Sequence, residues 1–406
     1  MGHQLKNKFY KTIARPVLIY CFSIARLLLE MEVVMKKIKV LIIFGTRPEA
    51  VKMAPIIKAL KNEESFITKV CVTAQHRDML DQVLRIFDIE PDYDLNIFQS
   101  GQTLTQITCR ALTGLEGVIE EFKPELILVQ GDTTTVFTGA LAAFYHRVKI
   151  GHVEAGLRSG NLYSPYPEEA NRMLTGVLTD FHFAPTQKSK ANLLREGYEE
   201  NKIFVTGNTS IDALKWVIDE NYKFEDEIIN NINFESRKVI LLTSHRRENI
   251  GKPMENIFSA IYDIVNENEN VEVIYPMHLN PKVREIAEKI LGNTDRIHLV
   301  EPLDYLPFTN LMSKCYLVVT DSGGVQEEAP SLGKPVLVVR EETERPEGIE
   351  SGTAKLAGTD KKTIYKYIDA LVNNEEEYKK MANAVNPYGD GKAAEYIVNA
   401  IKKKML

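Results

Sequence analysis

Three carboxylates stand at comparable places along the chain. Asp132 follows the apolar run Leu126–Gln130, Glu154 follows Ile150-Gly151-His152-Val153, and Glu168 follows Tyr166-Pro167 with Glu169 beside it. Each has a plainer use as well: Asp132 suits a helix N-cap, and Glu154 has Arg158 four residues on. Three such groups converging on one cleft could divide into acid and base, because paired carboxylates in a closed site are driven to different protonation states. His245 ends another apolar run and is followed by Arg246 and Arg247, a grouping suited to an anionic leaving group or to a structural histidine.

A second set of residues suits phosphate. The stretch Thr320-Asp321-Ser322-Gly323-Gly324-Val325-Gln326-Glu327-Glu328 follows an apolar run and opens a helix. Ser322 could cap that helix, and Gly323 and Gly324 let backbone N–H groups approach a diphosphate without an intervening side chain. Glu327 and Glu328 are expected in its first turn, placed to accept from ribose hydroxyls, and the helix should end at Gly333 before Pro335. Gly45-Thr46-Arg47-Pro48-Glu49 also opens a helix but matches neither a dinucleotide fingerprint nor a P-loop. Arg47 and Lys52 nevertheless put two cations near a strand end, and Arg345 puts a third in a later loop. Asp92-Tyr93-Asp94 has the D-x-D form of metal-dependent glycosyltransferases, yet beside Pro91 it reads as a turn. None of the eight histidines has H-E-x-x-H or similar spacing, so no metal is required.

Such residues need elements to hold them, and the chain alternates β-branched runs with helical periods. Expected pairs are Ile38–Phe44 with Glu49–Leu60, Val70–Thr73 with Met79–Phe87, Leu126–Val129 with Val136–Tyr145, and Val148–Val153 with Glu169–Leu178. Near-continuous apolar strands separated by amphipathic helices indicate parallel sheet covered on both faces. The pattern restarts with strands at Val239–Thr243, Val271–Tyr275, His298–Val300, Tyr316–Thr320 and Val336–Val339. Between the halves, Asn221–Arg237 is polar with few core signals, and Ala394–Lys403 reads as a last amphipathic helix. The fold class is therefore α/β: two doubly wound Rossmann-like domains whose ligands lie outside the strands' carboxyl ends.

The 406 residues, 44% hydrophobic and 26% charged, are enough for two or three cored domains. A formal charge of -6 argues against a nucleic-acid partner. Four scattered cysteines, Cys21, Cys71, Cys109 and Cys315, exclude a disulfide scaffold and suit a reducing, cytoplasmic compartment. Residues 1–35 are anomalous. Lys6, Lys8, Lys11 and Arg15 precede the apolar run Pro16–Ala25, as in a signal peptide, but no small-x-small cleavage site follows. The run is also too short and charged to span a bilayer. A surface helix in weak membrane contact, a disordered extension, or a start codon placed ahead of Met31 or Met35 all fit this segment.

Taken together, the motifs resemble the non-hydrolysing UDP-N-acetylglucosamine 2-epimerases. The resemblance runs from about Lys39 to Lys402 and rests on FGTRPEAVKMAP (44–55), VTAQHRDMLDQV (72–83), QGDTTT (130–135) and GHVEAGLRS (151–159). SPYPEEANR (164–172), TGNTSIDAL (206–214), SHRREN (244–249) and TDSGGVQEEAPSLGKPVL (320–337) complete it. It implies a GT-B-like fold: an N-terminal domain over 36–207, a UDP-binding domain over 208–385, and a terminal helix over 386–406 packing back on the first domain. It also implies reversible conversion of UDP-GlcNAc to UDP-ManNAc without cofactor or metal. UDP would be eliminated to leave bound 2-acetamidoglucal and then re-added on the other face, with the product feeding surface polysaccharide synthesis.

Carried over position by position, Asp132, Glu154 and Glu168 would be the catalytic acids and bases, and His245 would assist UDP departure. Arg47, Lys52, Phe308, Ser322, Gly323, Gly324, Glu328 and Arg345 would hold the UDP-sugar. Gln75, Arg77, Arg246 and His278 would belong to a regulatory site for a second UDP-GlcNAc, and a homodimer is implied. One departure is Leu303, where some relatives carry Gln near the uracil. A GT-B glycosyltransferase, a hydrolysing epimerase and a non-catalytic nucleotide-sugar sensor remain as alternatives.

Overall fold

A computed structural model describes residues 37–75 and 77–406. The N-terminal extension, with its three readings, lies outside the described residues. Seven strands form a first sheet: β1 (Ile38–Phe44), β2 (Phe66–Val72), β3 (Tyr93–Asp94), β4 (Leu126–Gln130), β5 (Lys149–Val153), β6 (Phe181–Ala184) and β7 (Ile203–Val205). Six form a second: β8 (Lys238–Thr243), β9 (Val271–Pro276), β10 (Ile297–Val300), β11 (Leu317–Thr320), β12 (Val336–Val338) and β13 (Ala354–Leu356). Every described pairing is parallel. The orders are β3-β2-β1-β4-β5-β6-β7 and β10-β9-β8-β11-β12-β13. Strand order therefore reverses between β1 and β4 and again between β8 and β11, which opens a crevice at each sheet's carboxyl edge.

Alternation along the central strands explains why helices cover both faces. In β1, Val40, Ile42 and Phe44 enter one apolar cluster while Leu41 and Ile43 enter another. In β8, Ile240 and Leu242 face one side and Val239 and Leu241 the other. Neither strand has a polar face left for water, so each needs a helical layer above and below. The expected α/β class of two doubly wound units is the one observed, with strand and helix ends displaced by a few residues.

Several elements differ from the sequence expectation. The longest helix among the described residues of the first half, Leu104–Phe122, has no counterpart among the expected elements, though Thr103 and Gln106 close a capping box at its start. Short strands β3, β6, β7 and β13 carry too few residues to show a period. Tyr93 and Asp94, expected in a turn, pair with Cys71 and Val72 as an edge strand. The segment Asn221–Arg237, expected to carry few core signals, is packed: Phe224 and Ile229 are buried, and Phe224 meets Tyr222 and Phe234 ring to ring.

Among the described residues, two helices join the halves. The helix Thr209–Val217 gives Ala213 to the first-sheet core and Leu214 to the second-sheet core. The last helix, Ala393–Met405, buries Ala394, Ile397, Val398 and Ile401 in the cluster that contains Ile42 and Ile56. Each buried Ile or Val there contributes about 1.5–3 kcal/mol. No helix among the described residues is long and apolar enough to cross a membrane.

Candidate active site

The loop after β1 turns tightly at Gly45. A Cβ on this residue would lie 2.1 Å from Thr73 Oγ1 and 2.6 Å from Thr135 Oγ1, so only glycine fits. Its N–H donates to Glu49 Oε2 at 3.1 Å, and Glu49 Oε1 accepts from Thr133 Oγ1 at 2.8 Å. Glu49 thereby ties the post-β1 loop to the post-β4 loop, and its burial pushes the carboxyl up to about 7. The same helix, Arg47–Lys61, points Arg47 and Lys52 into a cavity of about 500 Å³ between the halves.

Glu154, just after β5, is buried below that cavity. Its Oε1 meets Lys52 Nζ at 2.5 Å and accepts from Asn208 Nδ2 at 2.9 Å, while Oε2 accepts from Gln130 Nε2 at 2.5 Å. Burial works against the charge, yet Lys52 outweighs it and holds the carboxyl below the usual range; Lys52 is correspondingly raised. The backbone of Glu154 is left-handed, at φ 65°, a strained state for a residue with a Cβ.

Asp132 does not cap the following helix, as one reading allowed. Thr133 takes that role, its hydroxyl accepting from Val136 N. The Asp132 carboxylate is freed for Arg172, with Nη2 at 2.7 Å and Nε at 3.0 Å from Oδ2. Arg172 Nη1 also holds Glu169 Oε2 at 2.9 Å, and Glu169 Oε1 accepts from Ser159 N and Gly160 N at 3.0 Å. A Cβ built on Gly131, beside Asp132, would lie 3.8 Å from Glu154 Oε2, so the post-β4 loop passes next to that carboxylate. Glu168 opens the helix that carries Arg172; it is half-buried, and its carboxylate makes no hydrogen bond or ion pair among the described residues.

In the second half, the buried Asp321 gathers the post-β8 loop. Its Oδ2 accepts from His245 N (2.8 Å), Arg246 N (2.9 Å), Asn249 Nδ2 (3.1 Å) and Ser244 Oγ (3.2 Å). Its Oδ1 lies 3.3 Å from His245 Nδ1, and burial lowers the histidine's pKa despite that neighbour. Ser322 holds the N-cap position of the helix Gly323–Glu328, but its hydroxyl makes no cap bond. Because this helix has only six residues, Glu327 and Glu328 end it rather than start it; a 3-10 turn then runs to Gly333. Glu327 is ion-paired with Arg345, and Arg345 is raised by that neighbour against its burial. Glu328 is pushed up to about 8 by burial and by Glu327, with Lys52 opposing. A Cβ on Gly323 would sit 3.9 Å from an Arg246 guanidinium nitrogen and 4.0 Å from one of Arg345.

The cavity thus brings together Arg47, Lys52, His245, Phe308, Ser322, Gly324, Glu328 and Arg345. Gly323 is not among the lining residues but lies beside Arg246 and Arg345, and Leu303 lines the cavity. Beyond Arg345 lies a second cavity of about 530 Å³, lined by Arg158, Arg172 and Ser164. Arg345 borders both cavities, and the second is also lined by Arg172, the partner of Asp132. Of the four residues singled out for regulation, His278 lines the first cavity and stacks on His245 at 5.6 Å between ring centroids. Arg246 is beside it in the post-β8 loop, with its Nε buried and unbonded. Gln75 instead accepts from Thr135 Oγ1 at 3.1 Å, and Arg77 is engaged by Asp81 and Asp94. Asn208, Gln130 and Asp321 escaped the sequence reading; each stands next to a strand end or inside a quoted motif, but only their carboxylate and loop partners reveal a role.

The sequence model of the UDP-N-acetylglucosamine 2-epimerase family matches residues 58–402. The chain belongs to the UDP-N-acetylglucosamine 2-epimerase family. The enzyme of that name from Bacillus subtilis is 56% identical over 367 residues, which are 90% of this chain and 96% of the relative. The Escherichia coli K12 enzyme is 54% identical over 373 residues, 91% and 99% of the two chains. The crystal structure of the Neisseria meningitidis UDP-GlcNAc 2-epimerase bound to UDP-GlcNAc superposes with a TM-score of 0.81 at 50% identity, covering 90% of this chain and all of that one. The Methanocaldococcus jannaschii enzyme, in complex with UDP-GlcNAc and UDP, does so at 0.72 and 36%, with the same coverage. Both solved structures share the fold described above.

Proposed function

We propose that the chain interconverts UDP-GlcNAc and UDP-ManNAc by eliminating and re-adding UDP. The observation that carries this reading is the buried Lys52–Glu154 pair beneath a cavity whose other wall presents His245, Ser322 and Arg345. One side suits proton transfer and the other suits a diphosphate. In the forward direction the C1–O bond breaks, and its electron pair leaves with the β-phosphate of UDP. A carboxylate among Asp132, Glu154 and Glu168 takes the C2 proton, and the C1=C2 bond of 2-acetamidoglucal forms. Protonation of C2 on the opposite face, with UDP returning to C1, gives UDP-ManNAc.

The hydrogen at C2 is hardly acidic, so the departing charge must be stabilised while the proton leaves. Arg47, Arg345 and the backbone at Ser322-Gly323-Gly324 would bind the diphosphate, with His245 assisting its departure. Phe308 and Glu328 would hold the nucleoside, Glu328 at the ribose. Closure of the two halves would exclude water from the glucal. Incubation with UDP-GlcNAc in D2O tests the reaction: UDP-ManNAc carrying deuterium at C2, with no acceptor present, is expected. Absence of exchange would exclude this mechanism.

The finer expectations belong to the same reading. The enzyme would act in the cytoplasm and supply ManNAc units for surface polysaccharide. A second UDP-GlcNAc held near Arg246 and His278 would activate it, and strictly hyperbolic rates with UDP-ManNAc turned over equally well alone would count against that. Two copies would associate through the adjoining helices Thr134–Tyr145 and Glu168–Leu178. These expose Phe144, Tyr145, Met173, Leu174 and Val177, an apolar surface larger than scattered single residues would make.

A further inference from the structure

We propose that Asn208 is a positioning residue that couples the crossing between the two halves to the reacting carboxylate Glu154. The inference rests on the epimerase reading, which supplies the role of Glu154. Asn208 is buried at 3% exposure and uses every polar group it has. Its side-chain Nδ2 donates to Glu154 Oε1 at 2.9 Å and to Glu327 Oε2 at 2.7 Å. Its Oδ1 accepts from Ser210 N at 3.0 Å, capping the helix Thr209–Val217, and this fixes which way round the amide lies. Its backbone N–H donates to Tyr388 O at 2.7 Å.

The last bond places Asn208 where the chain passes from the first half to the second and meets the segment that returns. Gly207 is left-handed at φ 85°, and a Cβ on it would lie 3.1 Å from Tyr388 O and 3.2 Å from Gly389 Cα. The outgoing and returning segments are therefore in backbone contact. A rotation of one half about this crossing moves Asn208 and, with it, the donor on Glu154.

On either side of the amide lies a buried ion pair, Lys52–Glu154 in the first half and Arg345–Glu327 in the second. Two N–H bonds from one small group hold two carboxylates at a fixed separation, which no other side chain of this size does. An aspartate would add a third negative charge between them; a serine has one donor for two acceptors. The charged groups facing Glu154 are Lys52, Arg345 and, across the amide, Glu327, with the neutral His152 behind it. Reacting groups displaced by about 1 Å lose on the order of 100-fold in rate, so small shifts at the crossing are enough to matter.

The experiment compares wild type, Asn208→Ser, Asn208→Asp, Glu327→Gln and the double variant Asn208→Ser/Glu327→Gln. Serine and aspartate both keep an N-cap acceptor for the Thr209–Val217 helix, and serine does so without adding charge; thermal unfolding reports the fold of each variant separately from its turnover. Turnover of UDP-GlcNAc is measured from acid to alkaline pH, beside UDP affinity by calorimetry and thermal unfolding. Asn208→Ser should lower kcat by about 10- to 100-fold, the effect of losing a hydrogen bond to a buried charge, with UDP affinity changed less than about threefold. Removing a donor that favours the carboxylate should also move the acidic limb of the pH profile upward, which a purely structural role would not do. Asn208→Asp should lose more than Asn208→Ser. The double variant should lose less than the product of the single losses, because both act on one chain of contacts. A folded Asn208→Ser with wild-type kcat and pH profile would overturn the proposal, as would losses that multiply. Wild-type protein that leaves UDP-GlcNAc unchanged would instead refute the epimerase reading, so the two failures are told apart.

Discussion

Replacing Lys52 by methionine preserves the side chain's length and removes its charge, leaving Glu154 buried at the cavity floor. The ammonium is 2.5 Å from Glu154 Oε1, with 19% and 7% of the two side chains exposed. Breaking a buried pair from one side costs about 3–5 kcal/mol. Gln130 and Asn208 still donate to the carboxylate, so the loss should fall near the lower end, about 3 kcal/mol, at pH 8. Its pH dependence is the diagnostic. In the wild-type chain the Glu154 carboxyl is held below 4.5, so its stabilising contribution is present above about pH 4.5 and is lost as pH falls through the folded value. Without Lys52 burial dominates and the carboxyl moves above 4.5. The destabilisation is then small below that pH and grows as pH rises. Urea unfolding of both proteins at several values from about pH 5 to pH 8 should show a gap that widens with pH. A gap of constant size would refute the assignment of Lys52 as the counter-charge of Glu154.

Glu49 makes the complementary case: its carboxyl is raised from 4.5 to about 7, so wild-type stability should decline as pH rises through that window. Glu49→Gln should flatten the decline and gain up to about 3 kcal/mol at pH 8 in urea unfolding; parallel curves would contradict the raised value. Glu168→Gln should abolish epimerisation while leaving UDP binding within about threefold by calorimetry, and full activity would remove Glu168 from the catalytic set. Val177→Glu, placed where the side chain is 74% exposed, should convert a dimer to monomers in sedimentation with a weakening of at least about 100-fold. An unchanged dimer would clear this helix of an interface role.

The doubly wound fold was legible because β1, β8 and their neighbours are apolar on both faces, a pattern that only helix-covered parallel sheet satisfies. The same reasoning located the chemistry, since residues just past a strand in such folds face the crevice. Lys52, His245, Ser322 and Arg345 were found this way. Failures came where local sequence offered two equivalent partners. Asp132 and Thr133 are adjacent cap-forming residues, and nothing nearby says that Arg172, forty residues on, takes the carboxylate. The helix at Gly323 looked longer than six residues because Ala329–Leu332 continues its turn with a different hydrogen-bond spacing. Asn208 was hidden for a different reason: its two carboxylate partners come from different halves of the chain, and no periodicity encodes a contact across 119 residues.

The position of the last helix has a consequence for how the protein is made. Ile397, Val398 and Ile401 complete an apolar layer whose other members, on the helix Arg47–Lys61 and on β1, leave the ribosome more than 300 residues earlier. At about 5–20 residues per second, the interval between the end of β7 and the appearance of these side chains is on the order of ten to forty seconds. Throughout that time the nascent first half has every strand of its sheet and an uncovered greasy face. Vectorial synthesis therefore cannot finish this half before the other has been translated, and the waiting surface is where a holding chaperone would be expected to bind.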